Sequence, residues 1–371
     1  MKNVRKLLKM LSTKNFNYLI NIIKHRIAGI NYKKISETGI VNPIYVQIMP
    51  TLKCNLKCKM CLQKEIKCNK NELDYGKMVV VLKNLEKMGI KRVDFIGGEI
   101  FLMKDIYKIL DLFKKRGFIL SLGTNGTLLK EKDMILLSKY NNIISIGFSL
   151  DGLEKTHDNI RGVKGSFKKT VNSIVEIKKR GIDVGITCVL QKDNFDEIPK
   201  LMLFLKKRGI NNLTILFEIY STSNDVMITK NIIKKMIGHS PQIFLTPKNE
   251  MDYSPDEVER AVKKIKKYAK KIKFNAIFKN EDYIPEIFNN TVRKKHKVTC
   301  DILATGNTQI DWNGDLNVCP FIGLNVLGNL SKKEIKKDIF NSDIYKKIRK
   351  KMLNCNLLPI CDHCCQLNVI K

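Results

Sequence analysis

The sequence has no long apolar run: nothing in its 371 residues approaches the ~18 apolar positions that a bilayer-spanning helix needs. Its basic N-terminus lacks the uninterrupted apolar stretch and small-residue cleavage site of a secretory signal. A soluble, cytoplasmic protein is the expectation. Acidic residues are scarce, 36 against 68 Lys and Arg, which leaves a formal net charge of +32. Aromatics are only 8% and scattered. A basic surface for single-stranded nucleic acid interleaves its charges with stacking rings, so nucleic acid is not an expected partner. The excess charge reads as lysine on solvated helix faces. In "AVKKIKKYAKKIK" (261–273), Val262, Ile265, Tyr268, Ala269 and Ile272 share one face and the lysines take the other. Solubility and weak contact with anionic membrane surfaces follow from that charge. Cysteine is not scarce. There are eleven, three in one short stretch and six from Cys300 onward. Without an export signal they do not suggest a disulfide framework, and clustered thiols more often hold metal.

Apolar residues make up 44% of the chain, enough for one large domain and a smaller one. Residues 1–40 read as basic amphipathic helices. Val4, Leu7, Leu8 and Leu11 share one face, and Phe16, Leu19, Ile20, Ile23 and Ile27 share another. Packing on the protein's own body is favoured over a membrane surface. From about residue 41 a rhythm begins. Short β-branched runs at 44–48, 92–97, 118–123, 143–150, 182–190 and 212–219 read as strands. Helical periods lie near 74–88, 105–116, 130–140, 166–180 and 196–208. Gly89, Gly117, Gly181 and Gly209 close the helices. This alternation predicts an α/β fold with a parallel sheet or barrel, and a barrel region over 41–220. Residues 221–295 read as a helical connector, with Ser254 and Pro255 starting a helix. A small cysteine-rich domain is expected over 296–371.

Each of the first five strands is followed by a polar motif, three of them containing glycine. The series is "CNLKCKMC" (54–61), "GGE" (97–99), "TNG" (124–126), "SLDG" (149–152) and "QKDN" (191–194). In parallel α/β folds the C-terminal strand edge is where ligands bind, so these motifs should converge. Cys54, Cys58 and Cys61 are three thiols without a fourth. A closed zinc or electron-transfer iron–sulfur site takes four protein ligands, so one coordination position is left for something else. Two glycines admit close backbone approach, and Glu99 could hold an ammonium group.

These residues resemble the radical S-adenosylmethionine (SAM) superfamily. The likeness rests on Cys-x3-Cys-x2-Cys after the first strand, then "GGE", "GTNGTLL" (123–129) and "SLDGLEKTHDNIRGVKGSF" (149–167). It covers about 44–218 and 298–366. It implies a partial (β/α)6 barrel in which Cys54, Cys58 and Cys61 bind a [4Fe–4S] cluster whose fourth iron takes SAM. It places Gly97, Gly98 and Glu99 at the methionyl amino end, and Asn125, Ser149 and Arg161 at the carboxylate and ribose. Asp151 and Leu190 are further candidates there, and Met60 would pack near the adenine. An electron from a low-potential donor would cleave SAM, and the resulting radical would take hydrogen from a substrate. Ile100 departs from the proline usual after that glutamate. Cys68 and Cys188 read as structural.

The C-terminal cysteines resemble the SPASM/twitch extension that carries auxiliary [4Fe–4S] clusters in some of these enzymes. Cys300, Gly314 and Cys319 have its spacing. The tail departs from it: Met352 stands where a first ligand is expected, and residues 366–371 hold no further cysteine. One auxiliary cluster is therefore expected, held by Cys300, Cys319, Cys361 and either Cys364 or Cys365, with Cys355 as a further candidate ligand; two clusters, one with an open iron, and a zinc site are the alternatives. Pro320 follows the second cysteine of this set, where some relatives carry an acidic base, so no general base is assigned. The resemblance implies hydrogen abstraction from a peptide or protein. The alternatives are a small-molecule dehydrogenase for a sugar or alcohol, and a basic iron–sulfur binding module that does not cleave SAM.

Overall fold

A computed structural model describes residues 32–40, 43, 45–62, 71–245, 247–248, 251–305, 307–324, 328–332, 339–364 and 366–370. The expected helices at 4–28, together with Cys68 and Cys365, lie outside the described residues. The described chain begins at α1 (Tyr32–Thr38). Strand β1 (Val46–Ile48) leads to α2 (Tyr75–Lys87), and β2 (Arg92–Phe95) to α3 (Ile106–Lys115). Next come β3 (Ile119–Thr124), α4 (Glu131–Ser138) and β4 (Ile143–Ser149). Two helices follow, α5 (Glu154–Arg161) and α6 (Ser166–Lys179), then β5 (Val184–Leu190), α7 (Ile198–Lys206) and β6 (Asn212–Phe217). The six strands lie side by side in chain order, all parallel. That is the α/β architecture read from the sequence. Helix α5 is an addition to it: "EKTHDNIR" has a buried His157 and Arg161 where an apolar stripe would be sought.

The strands are two-faced. One face is buried beneath the helices, with Val93, Phe95, Leu122, Ile146, Phe148, Ile186 and Ile215 in the core. Helices α2 and α3 cover it with Met78, Val81, Leu82, Ile109 and Phe113. The other face carries half-buried small or polar residues, among them Ser121, Ser145, Ser149, Thr187 and Thr214. A parallel sheet buried on both sides would be apolar on both. This one leaves its inner wall fit for a polar occupant. The glycines that close α2, α3, α6 and α7 all have positive φ, between 71° and 80°, a region that costs other residues strain.

Beyond β6 the chain continues through α8 (Ser223–Ile237), β7 (Gln242–Ile243), α9 (Pro255–Lys271) and β8 (Asn275–Ile277). Ser254 caps α9 as expected, its hydroxyl accepting from the Glu257 N–H. Strand β8 joins the main sheet parallel to β6. Short helices α10 (Ile284–Phe288) and α11 (Val292–Lys295) precede β9 (Val298–Cys300) and α12 (Asp301–Thr305). Strand β10 (Gln309–Ile310) then pairs parallel to β1, and β11 (Leu316–Asn317) pairs antiparallel to β10. The cysteine-rich segment therefore extends the barrel sheet to nine strands. Trp312, the only tryptophan of the chain, packs with Met49 and Phe244, and Leu52 lies against them. The chain ends with β12 (Ile322–Gly323), α13 (Asp343–Asn354) and β13 (Leu367–Val369). Strand β13 pairs with β9. Among the described residues no helix is long and apolar enough to cross a membrane.

Candidate functional site

The cysteine loop after β1 is gripped at both ends by backbone. On one side Gly98 N–H donates to Thr51 O at 2.9 Å and Glu99 N–H to Lys53 O at 2.7 Å. A Cβ on Gly98 would lie 2.3 Å from Lys53 O, and one on Gly97 would lie 2.8 Å from Thr51 O. The two glycines therefore let the loop itself come close, a reason for the motif that sequence reading had assigned to a ligand. On the other side Lys57 N–H donates to Arg161 O at 3.0 Å and Lys59 N–H to Ile160 O at 2.9 Å. Gly162 follows with φ 69°, and a Cβ there would meet Lys57 O at 2.6 Å.

Three strand-end motifs converge on this loop. Glu99 is fully buried. Its carboxylate accepts from Thr124 Oγ1 at 2.8 Å, Asn125 N–H at 2.7 Å and Phe101 N–H at 3.1 Å. Burial raises its pKa against the opposing pull of these donors. Asn125 Nδ2 donates to Asn55 Oδ1 at 2.9 Å and lies 3.9 Å from Cys54 Sγ. Arg161 Nε donates to Asp151 Oδ2 at 2.5 Å, and its Nη1 reaches Cys58 Sγ at 3.5 Å. Burial lowers the arginine's pKa, but Asp151 and then Cys58 outweigh it and the net shift is upward. Asp151 is fully buried and also accepts from Val189 N–H at 2.9 Å. Its role here is to hold Arg161 against the loop. Ser149 ends β4 on the half-buried face, and Leu190 ends β5, buried. Met60 is half-buried in the loop.

The three thiols differ in exposure: Cys54 is exposed, and Cys58 and Cys61 are half-buried. Burial raises the pKa of Cys54 and of Cys58, in the latter case against the pull of Arg161. Leu56 N–H points at Cys54 Sγ at 3.5 Å. Among the described residues no three His, Cys, Asp or Glu side chains converge on a single ion. A cubane cluster takes each thiolate on a separate iron and does not need such a point.

The second set of cysteines forms a different place. Cys300, Cys319, Cys361 and Cys364 line one small cavity, walled by Leu303, Phe321, Met352, Leu357 and Ile360. Burial pushes the Cys300 thiol up to about 11 and the Cys361 thiol up to about 12. Backbone N–H groups are aimed at the sulfurs: Phe321 N–H at Cys319 at 3.4 Å and Gln366 N–H at Cys364 at 3.4 Å. Those of Leu303 and Ile302 favour the Cys300 thiolate. Cys355 is not gathered here; it caps the C-terminal end of α13, exposed. Pro320 lies in the wall.

The model of the radical SAM superfamily matches residues 48–205, and that of an iron–sulfur cluster-binding domain, SPASM, matches residues 300–365. The chain belongs to the radical SAM superfamily. Fe-coproporphyrin III synthase of Methanosarcina barkeri is 29% identical over 192 residues, 51% of this chain and 47% of that protein. The cysteine-type anaerobic sulfatase-maturating enzyme of Clostridium novyi is 25% identical over 345 residues, 85% of each chain. The match spans less than half the length of the first curated relatives. Streptococcus suis SuiB bound to S-adenosylmethionine shares the fold, with a TM-score of 0.62, 20% identity, and coverage of 89% of this chain and 75% of that one. SuiB bound to its precursor peptide SuiA gives a TM-score of 0.61 at 19% identity, covering 90% of this chain and 73% of that one.

Both cysteine sites fit the clusters that a radical SAM protein with a SPASM region carries. Hydrogen-bond donors aimed at sulfur are what thiolate ligands of a cluster receive, and both sites supply them. Sequence reasoning missed the residues that brace the first site. Asn55 bridges Asn125 and Thr127, donating to the latter at 2.8 Å. Asn194 Nδ2 ties Asp151 O at 2.9 Å to Val189 O at 2.8 Å. Buried His157 accepts the Asp151 N–H at 3.2 Å, and burial lowers its pKa to about 4, so it is neutral. Asn194 ends the "QKDN" motif, which was a visible signal. His157 sits on a helix that had no pattern to reveal it.

Proposed function

We propose that this protein is an oxidoreductase of the radical SAM class that modifies a peptide or protein. The observation that carries this reading is the loop of three thiols, clamped by Gly98 and Gly162, with Arg161 donating to Cys58 and the Glu99 carboxylate beneath it. Cys54, Cys58 and Cys61 would hold a [4Fe–4S] cluster. Bound there with SAM, such a cluster would supply one-electron chemistry for hydrogen abstraction from a substrate. The chain's own residues hold the reactants. Gly97, Gly98 and Glu99 would receive the methionyl amino end. Asn125, Ser149 and Arg161 would receive the carboxylate and ribose, with Asp151 orienting Arg161 and Leu190 excluding water. Cys300, Cys319, Cys361 and Cys364 would hold one auxiliary cluster in a dry cavity, and Cys355 would hold none. The barrel would work in the cytoplasm with a low-potential electron donor.

Peptide substrates are favoured by two relatives, a sulfatase-maturating enzyme and SuiB, whose structure holds a precursor peptide. A small-molecule substrate is the second reading, favoured by the synthase of Fe-coproporphyrin III and by the single four-thiol cavity. The test is anaerobic reconstitution with SAM and a strong reductant, followed by quantification of 5′-deoxyadenosine. Wild-type product, absent from the triple Cys54, Cys58 and Cys61 alanine variant, is expected. Deuterium passing from a labelled peptide into 5′-deoxyadenosine would select the peptide; transfer from a labelled sugar or alcohol would select the second reading. If the loaded protein neither cleaves SAM nor changes its cluster spectrum when SAM is added, the reading falls to a basic iron–sulfur binding module.

A further inference from the structure

A groove of about 490 Å³ runs between the end of α1 and the outer face of α13. Lys346, Lys347, Lys350 and Lys351 line it, with Asp343 the one acid. Lys346 is paired with Asp343 at 2.8 Å. Lys347, Lys350 and Lys351 have no acidic partner among the described residues. They recur at three- and four-residue spacing, so they form one stripe. Like charges at that spacing weaken a helix.

The walls are fixed in advance. Gly39, with φ 70°, sits so close to α13 that a Cβ would lie 2.6 Å from Lys346 O. Arg349, on the buried side of α13, donates to the carbonyls of Gly39 and Phe340. Asn354 Nδ2 reaches Ser36 O at 3.3 Å. The lining holds no aromatic and no large aliphatic side chain. Nucleic-acid bases would find no stacking partner there, and a bilayer would find no apolar wedge. Residues 1–31, which precede α1, contain no Asp or Glu, so that segment is not the complement. On its inner side α13 contributes Met352 to the cysteine cavity.

We propose that this groove docks an acidic stretch of the peptide substrate, an inference that rests on the peptide reading above. Bound there, the peptide would lie one helix away from the four-thiol cavity. Charge complementarity of this kind sets the encounter rate and the register of binding.

The test uses the full, reconstituted chain and a fluorescent peptide of alternating Glu and Ser, beside its Gln counterpart. Binding is read by anisotropy at low and physiological salt. Replacing Lys347, Lys350 and Lys351 together by Glu is expected to weaken binding at least about tenfold. The same change at Lys267, Lys270 and Lys271 on α9, which alters net charge equally, should leave it within about twofold. A milder triple change to Gln, checked by circular dichroism and iron content, gives the same ranking if the Glu variant does not fold. Equal losses in the two sets, binding that ignores the groove, or tighter groove-dependent binding of poly-U RNA or phosphatidylserine vesicles would overturn the proposal. Formation of 5′-deoxyadenosine without peptide is measured alongside. Its absence, together with an unchanged cluster spectrum when SAM is added, in a wild type that still docks the peptide would sink the proposed chemistry and leave the groove standing.

Discussion

The two cysteine sites of this chain are opposites. The first has three thiols on a partly exposed loop, and its neighbours are charged: Arg161, Asp151 and Glu99. The second has four thiols in a cavity walled by Leu, Ile, Met and Phe, and burial drives up the pKa values of Cys300 and Cys361. An incomplete set beside charged groups suits a centre that must receive a polar ligand. Four thiols in an apolar wall suit a centre that exchanges nothing. The same contrast separates open catalytic metal sites from closed structural ones. Which site does chemistry can therefore be argued from what surrounds the sulfurs as well as from their number.

The sharpest way to break the comparison is Gly98→Ala. Its methyl group would meet Lys53 O at 2.3 Å, and backbone on both sides prevents an easy escape. The first site should lose its iron while the second keeps its own, and 5′-deoxyadenosine formation should fall by more than about a hundredfold. Iron analysis with electron paramagnetic resonance separates the two pools. Loss of both would show that the sites are not independent.

Arg161→Gln tests whether the charge beside Cys58 matters. It keeps a donor and removes the cation. Outer partners of a metal ligand commonly contribute 10–100-fold in affinity or activity, roughly, and a loss in that range is expected. The spectrum of the second site should not move.

The smallest effect is a pH dependence. His157 is held neutral by burial, with its pKa lowered to about 4 from an ordinary 6.5. Between those values the unfolded chain binds the proton and the folded chain does not. Stability should therefore fall as pH drops from about 6.5 toward about 4. Thermal unfolding across that window should show the slope, and His157→Gln should flatten it. A slope unchanged in the variant would assign it to other groups.

Much of the barrel was legible in the sequence because its signals are local. A β-branched run, a polar motif and a helix closed by glycine repeat within short spans. What was missed is either very short or held by long-range pairing. The two-residue strands β10 and β11 have no period to detect, and the place of β10 beside β1 depends on a partner about 260 residues away. Helix α5 escaped because it buries His157 and Arg161. At the first site the three spaced thiols and the glycine motif could be read as a pattern, since the residue types are distinctive. Asn55 could not be, since any hydrogen-bonding side chain can brace a loop when geometry allows. At the second site spacing nominated Cys355, and only its position at the exposed end of α13 sets it apart from the cavity.

The pairing of β10 with β1 also bears on how the chain is made. Gln47 and Gln309 face each other across that pair, with their side chains hydrogen-bonded at 3.0 Å. During synthesis at ~5–20 residues per second, the first strand must wait on the order of tens of seconds for its neighbour to emerge from the ribosome. For that interval the edge that carries the cysteine loop is open to mispairing with other strands. A truncated product that ends before residue 309 would keep that hazard permanently.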